Sequence, residues 1–196
     1  MANFKYLGAQ FTGDNDVSFE VTARLQCGNR AYFALRHYLI SRLVSRKTKL
    51  RIYNTVIRPV VLYGCETWSL TVRDQKRLSC SKIVSYGVFS DPSGNPCSIG
   101  RDIRDLSEQP WITGVVKSRR LQWVGHLVRA PAERAIVTAM NGQVNAVRPR
   151  ERPRKRWSDN VREDAQCLGV GDWRRAAFNR DNWRAEVTAA VGLQAL

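Results

Sequence analysis

Histidine is nearly missing from this chain: His37 and His126 are the two in 196 residues. The five cysteines, Cys27, Cys65, Cys80, Cys97 and Cys167, lie far apart and form no C-x-x-C pair. A structural zinc ion needs four nitrogen or sulfur ligands in clustered spacing, so no metal site is expected. An odd set of scattered cysteines is no disulfide framework either. Reduced, mostly buried thiols fit an intracellular protein. Long hydrophobic runs are lacking as well. The longest, V-I-R-P-V-V-L-Y, is interrupted by Arg58 and falls far short of a membrane span. The N-terminal MANFKYLG has no charged-then-apolar signal-peptide design. An intracellular location without a membrane partner is therefore expected.

Acidic residues are the other shortage. There are 17 Asp and Glu against 32 Lys and Arg, a formal charge of +15 and a sequence pI near 10.3. Such a balance speaks to partners rather than to fold, and phosphate backbones are the commonest polyanions that satisfy it. The excess is uneven. Between Val115 and Arg156 eleven basic residues face two acids, a net +9. The densest part is RPRERPRKRW, where Arg148, Arg150, Arg152, Arg154, Lys155 and Arg156 are spaced by Pro149 and Pro153. Proline fixes φ near −65° and has no N–H, so segment 148–156 is expected to be extended rather than helical. Guanidinium groups along such a strand can each take two phosphate oxygens. The competing reading is a solvated linker between helical parts. A basic run can also serve as a nuclear address, so a nuclear location stands beside a general intracellular one.

Chemistry is sparse. No glycine-rich phosphate loop precedes a helix, and no Ser or Cys is flanked by a base motif. Asp14 and Asp16 in GDND form a carboxylate pair, but turns use these residues for local hydrogen bonds. Asp102 and Asp105 adjoin arginines and read as surface pairs; His126 reads as a helix-face residue. No catalytic residue, no cofactor and no small-molecule substrate is assigned. The nucleic-acid-binding set is Lys117, Arg119 and Arg120 together with Arg148, Arg150, Arg152, Arg154, Lys155 and Arg156, with RNA or DNA as the partner.

The expected fold is mainly α. FKYLGAQFT (4–12) reads as a strand or half a hairpin, and GDND as a turn. From Val17 to Val44, Val21, Leu25, Ala31, Leu35, Leu39 and Leu43 recur at helical spacing, with Gly28 and Asn29 interrupting. Ser45 caps a second helix presenting Leu50, Tyr53, Val56, Ile57 and Val60, with Pro59 expected to kink or end it. A third helix is expected from Thr71 to about Ser85. Residues 86–111 crowd Gly, Pro and Ser and read as a linker. Helical order returns over Ile112 to Arg129, with Val116, Leu121, Val124, Leu127 and Val128 on an apolar side and Lys117, Arg119, Arg120 and Arg129 on a basic one. SDNVREDAQCLG predicts a capped helix ending at Gly169, and Asp172 opens WRRAAFNRDNWRAEVTAAV. Trp173, Ala177, Trp183 and Val187 are core candidates there, tryptophan being read first as packing rather than as a base-stacking platform. Three parts result: a thumb-like helical unit at 1–85, the linker at 86–111, and a basic helical unit at 112–196. The first unit's core is expected to include Leu35, Leu39, Tyr53, Ile57, Val61 and Trp68.

Several stretches in order resemble one family, the reverse transcriptases of non-LTR (LINE-type) retrotransposons, near the jockey-like and RTE-like groups. FKYLGAQFT is similar to the strand that follows the polymerase palm, and GNRAYFALRHYLISRLVSRKTKLRIYNTVIRPVVLYGCETWSL to the helical thumb. RRLQWVGHLVR, RPRERPRKRWSDNVREDAQCLGV and DWRRAAFNRDNWR resemble the family's C-terminal tail. The resemblance covers nearly the whole chain except about residues 79–112. Within that gap RLSCSKIVSYGVFSDPSGNPCSIG replaces the family's long basic helix. Glu151 stands where the family's tail often has the glycine of G-R-P-R-K, which disfavours minor-groove insertion while leaving phosphate contact possible.

The resemblance implies an RNA-directed DNA polymerase in the full-length family, whose aspartates hold two Mg²⁺ ions and lie N-terminal to the FKYLG strand. Here that strand begins three residues after Met1, so the palm is expected outside this sequence. The implied function is a nucleic-acid-binding fragment that is catalytically incompetent alone. Two alternatives remain open from the residues, a non-functional remnant of a degraded element and a cellular helical adaptor with a basic localisation segment. The polymerase expectation has a direct check. The isolated chain should extend no primer on an RNA template with Mg²⁺ or Mn²⁺, and extension abolished by Asp14→Asn or Asp16→Asn would overturn it.

Overall fold

The computed structural model of the chain describes residues 3–13, 16–79, 110–141 and 155–193. The fold is mainly helical with one short antiparallel hairpin at its start. Most of the expected linker, the continuation of the third helix past Ser79, Asp14, and Arg148 to Arg154 lie outside the described residues. Two compact units emerge, one within Met1–Gly64 and Leu70–Thr113, the other within Cys65–Ser69 and Gly114–Gln194.

In the first unit, FKYLGAQFT is both arms of a hairpin, not a single strand or half a hairpin. Strand β1 (Asn3–Tyr6) pairs with β2 (Ala9–Thr12) through Phe4↔Phe11 and Tyr6↔Ala9. The two-residue turn has Leu7 at φ 46° and Gly8 at φ 85°. Positive φ at both positions is the type I′ geometry that matches strand twist. Leucine adopts it reluctantly because its Cβ crowds the backbone. Neighbouring side chains hold it there. The Tyr63 hydroxyl donates to the Leu7 carbonyl at 2.6 Å, and the Arg24 guanidinium donates to the Gly8 carbonyl while lying 4.7 Å from the Tyr63 ring centroid. Glu20 joins strand to helix, accepting the Gln10 N–H at 2.7 Å and the Arg24 Nε–H at 2.6 Å.

Helix α1 (Val17–Ile40) starts at Asp16, whose carboxylate accepts the Ser18 N–H at 3.0 Å. It runs uninterrupted through Gly28 and Asn29. Val21, Gly28, Tyr32 and Leu39 are buried along one stripe, so the glycine sits where the helix meets its neighbours. The helix stops at Ile40, three residues before Leu43, which is 97% exposed and not a core position. Ser45 accepts the Thr48 N–H at 3.2 Å and opens α2 (Arg46–Ile52). A π turn (Tyr53–Ile57) and α3 (Arg58–Val61) follow without a break. Pro59 brings no N–H and crowds the preceding turn. The turn widens instead of ending, and the Arg58 N–H bonds the Tyr53 carbonyl five residues back. Tyr53, Ile57 and Val61 then point inward, while Val56 is 44% exposed, against its expected place on the apolar side. Helix α4 (Val72–Ser79) is tied to α1 through Asp74, which accepts the hydroxyls of Thr71 at 2.6 Å and Ser18 at 3.0 Å.

The second unit holds most of α5 (Ile112–Arg129), then α6 (Ala135–Asn141), α7 (Trp157–Cys167), α8 (Trp173–Phe178) and α9 (Arg180–Ala189). Its core joins Leu121, Val124, Val161, Ala165, Trp173, Ala177, Trp183 and Ala190. Helix α7 ends with Gly169 at φ 78°, where the Gly169 N–H bonds Gln166 and the Val170 N–H bonds Ala165, a Schellman motif. Asp172 caps α8 by accepting the Arg175 N–H at 3.1 Å. The expected continuous helix after Asp172 is split at Asn179, whose side chain accepts the N–H groups of Asp181 and Asn182. Trp68, expected in the first unit's core, falls in the second unit and is 2% exposed.

Leu39 is 3% exposed beneath the first unit's helices. Leu39→Ala should lower stability by about 2–5 kcal/mol in denaturant unfolding, through lost burial and the cavity left behind. The exposed Leu43→Ala should change it by less than about 0.5 kcal/mol.

Candidate nucleic-acid interface

Of the nine basic residues singled out in the sequence, the five that the structure describes do not share one surface. On α5, Lys117 and Arg120 are 7% and 2% exposed and turn into the second unit. Arg120 forms a short charged hydrogen bond with the Asp164 carboxylate of α7 and donates to the Trp68 carbonyl at 3.0 Å. Lys117 Nζ lies 4.0 Å from the other Asp164 oxygen. Burial pushes the Asp164 carboxyl above its ordinary pKa, and Arg120 and then Lys117 pull the opposite way. Phosphate contact by Lys117 and Arg120, expected from the sequence, does not fit this placement, because both side chains are shielded from solvent and engaged with a carboxylate. The reason is helical arithmetic. Residues four apart on a helix differ by only about 40°, so Lys117 lies beside Leu121, and Arg120 beside Val116 and Val124.

Arg119 is half-buried, with its guanidinium 3.9 Å from Cys65 Sγ. Burial pushes the Cys65 thiol up to about 11, opposed chiefly by Arg119, so the sulfur is neutral at physiological pH. The segment Cys65–Ser69 is thereby held at three points, because the Trp157 indole also donates to the Glu66 carbonyl at 2.8 Å. Lys155 and Arg156 are exposed at the start of α7. Lys155 pairs with Glu163, and the Arg156 N–H donates to Asp159 at 3.0 Å. Arg148, Arg150, Arg152 and Arg154 lie outside the described residues.

The candidates for other chemistry are accounted for in the same way. Asp16 is consumed as a helix cap, and His126 is exposed on α5. Among the described residues no three His, Cys, Asp or Glu side chains converge to hold a metal ion. The described carboxylates therefore form no cluster that would fit the paired Mg²⁺ ions that the resemblance implies for the full-length family. No described helix is long and apolar enough to cross a membrane.

One feature was not anticipated from the sequence. A groove of about 480 Å³ runs between α5 and α9, lined by Gln122, His126 and Arg129 on one side and Arg180, Arg184 and Thr188 on the other, over Trp183 and Val187. The i, i+4 spacing of Arg180 and Arg184 is a readable signal for a shared helix face; their position opposite Arg129 is tertiary information.

The chain is similar to an uncharacterised transposon-derived protein. That protein is from Caenorhabditis elegans and is 23% identical over 192 residues, an alignment covering 93% of this chain and 68% of the relative. No family model and no solved structure matches.

Asp164→Asn preserves shape but leaves two buried cations without their anion. It should cost about 3–5 kcal/mol in urea unfolding. A loss under about 1 kcal/mol would mean that Lys117 and Arg120 reach water instead.

Proposed function

We propose that this chain is a nucleic-acid-binding segment of transposable-element origin and, more specifically, the thumb and tail region of a non-LTR retrotransposon reverse transcriptase. The observation that carries the binding reading is the net +9 between Val115 and Arg156, concentrated in the Pro-spaced run 148–156. The ordered resemblance along the chain and the transposon-derived relative support the origin.

The chemistry follows from the residue types. Arginine forks match phosphate oxygens in pairs, and the prolines disfavour a helix, so that an extended run would let successive side chains follow a backbone. Because Lys117 and Arg120 are spent on Asp164, the contact set is Arg148, Arg150, Arg152, Arg154, Lys155 and Arg156. Phosphate contact of this kind positions a strand and carries little sequence information. Polymerisation itself is assigned to no residue of this chain.

Fluorescence anisotropy across a salt series tests the reading. If some six phosphates are neutralised on duplex DNA, log K should fall against log salt with a slope of roughly −5. Replacing Arg150, Arg152, Arg154 and Arg156 with Gln should weaken binding to all sequences alike and flatten the slope by up to about four units. Lysine at the same four positions should weaken it less, since charge remains while bidentate geometry is lost. An affinity indifferent to salt, or untouched by the Gln replacements, would reduce the run to a linker.

A further inference from the structure

We propose that the groove between α5 and α9 is a second phosphate-holding site, one that grips the backbone of single-stranded nucleic acid. This rests on the nucleic-acid reading above but uses different residues. Three guanidinium groups and an imidazole converge on the groove, from Arg129, Arg180, Arg184 and His126, and no carboxylate lines it. Among the described residues no carboxylate stands within ion-pair distance of any of the three arginines. Two like charges four apart on α9 oppose helix stability by a few tenths of a kcal/mol. A bound anion would reverse that effect.

The site is also built rather than incidental. Arg129 donates to the Ala177 carbonyl, which fixes its guanidinium at the groove. The floor is the Trp183 indole, 3% exposed and anchored by donating to the Leu121 carbonyl at 2.8 Å. Gly125 makes this possible, because a β-carbon there would stand 2.6 Å from the indole ring and 3.0 Å from Arg129 Nη2. A rigid floor and one fixed arginine are the preorganisation that reduces the entropy lost on binding. The two remaining arginines are exposed and can close on a ligand from α9.

The occupant follows from size and charge. A groove of about 480 Å³ lies within the range of small-ligand sites and is too small to enclose a duplex. Forked donors with no opposing acid suit phosphodiester oxygens. The Trp183 ring is covered, so the groove would hold backbone rather than stack a base, and binding would be indifferent to sequence.

The test uses the full chain and a short fluorescent single-stranded RNA. Arg180→Gln with Arg184→Gln should weaken binding on the order of 10-fold at moderate salt and flatten the log–log slope by roughly 1.4 units. The loss should add to that of the Gln replacements in the run 148–156. Thr188→Glu, which sets an acid in the groove without removing an arginine, should weaken binding in the same direction. Wild-type binding that neither groove change alters would overturn the groove and leave the basic run standing. A wild-type chain that binds no strand at all would overturn the nucleic-acid reading, and the groove with it. Equal losses for a glutamate-rich peptide would show a general anion site and overturn the phosphate assignment.

Discussion

The ion cluster of Asp164 with Arg120 and Lys117 is the constraint around which the second unit is arranged. It joins α5 to α7 and, through the Arg120 bond to the Trp68 carbonyl, captures the short segment Cys65–Ser69. Taking three charges out of water is unfavourable, and their mutual attraction offsets this only where geometry and hydrogen bonds are good. Such clusters discriminate between arrangements more than they add net stability. A rotation of α5 that kept its apolar residues buried but separated Arg120 from Asp164 would strand charges in the core. The cluster thus selects one register of α5 among several that hydrophobic burial alone would tolerate.

That cluster also changes how the chain's charge is to be counted. A formal +15 describes composition, but cations satisfied internally do not project the same field as those in solvent. Lys117 and Arg120 serve the fold. Lys155, Arg156, Arg180 and Arg184 face water. Basic residues of similar appearance in the sequence therefore divide into two populations, and the division is set by whether a carboxylate waits on the opposing helix.

Much of the fold was legible because its signals are local. Ser45 and Asp172 each accept an N–H within their own first turn, so these caps can be read without tertiary knowledge. The core positions Leu39, Ile57, Trp173, Ala177 and Trp183 follow from helical periodicity. What escaped was of two kinds. Asn179 carries the same capping chemistry as Asp172, but it was hidden inside a stretch that otherwise keeps a helical pattern. The hairpin was obscured because Leu–Gly is an unusual pair for a type I′ turn, and its support comes from Tyr63 and Arg24 far along the chain. The candidate sites were harder still. A helical projection of α5 places Lys117 and Arg120 near its apolar arc, yet only the partner Asp164 decides that they turn inward. The groove needs Arg129 and Arg184 on facing helices, which no spacing reveals.

The π turn at Tyr53–Ile57 has a consequence for the history of the sequence. A π turn is an α-helix carrying one extra residue, with the helix on either side left intact. Removing one residue there would restore the α period and leave everything downstream on the face it now occupies, because the wide turn already absorbs the extra residue that would otherwise rotate it by about 100°. Val61 and Leu62, now 2% and 1% exposed, would stay in the interior. A one-residue deletion is therefore tolerated within the π turn, whereas the same deletion in the α segments on either side would turn the downstream residues away from the core. When distant relatives are aligned, a one-residue gap at 53–57 marks the loss of the π turn with helix phase kept, and residues after it should be matched by the face they occupy rather than by their count.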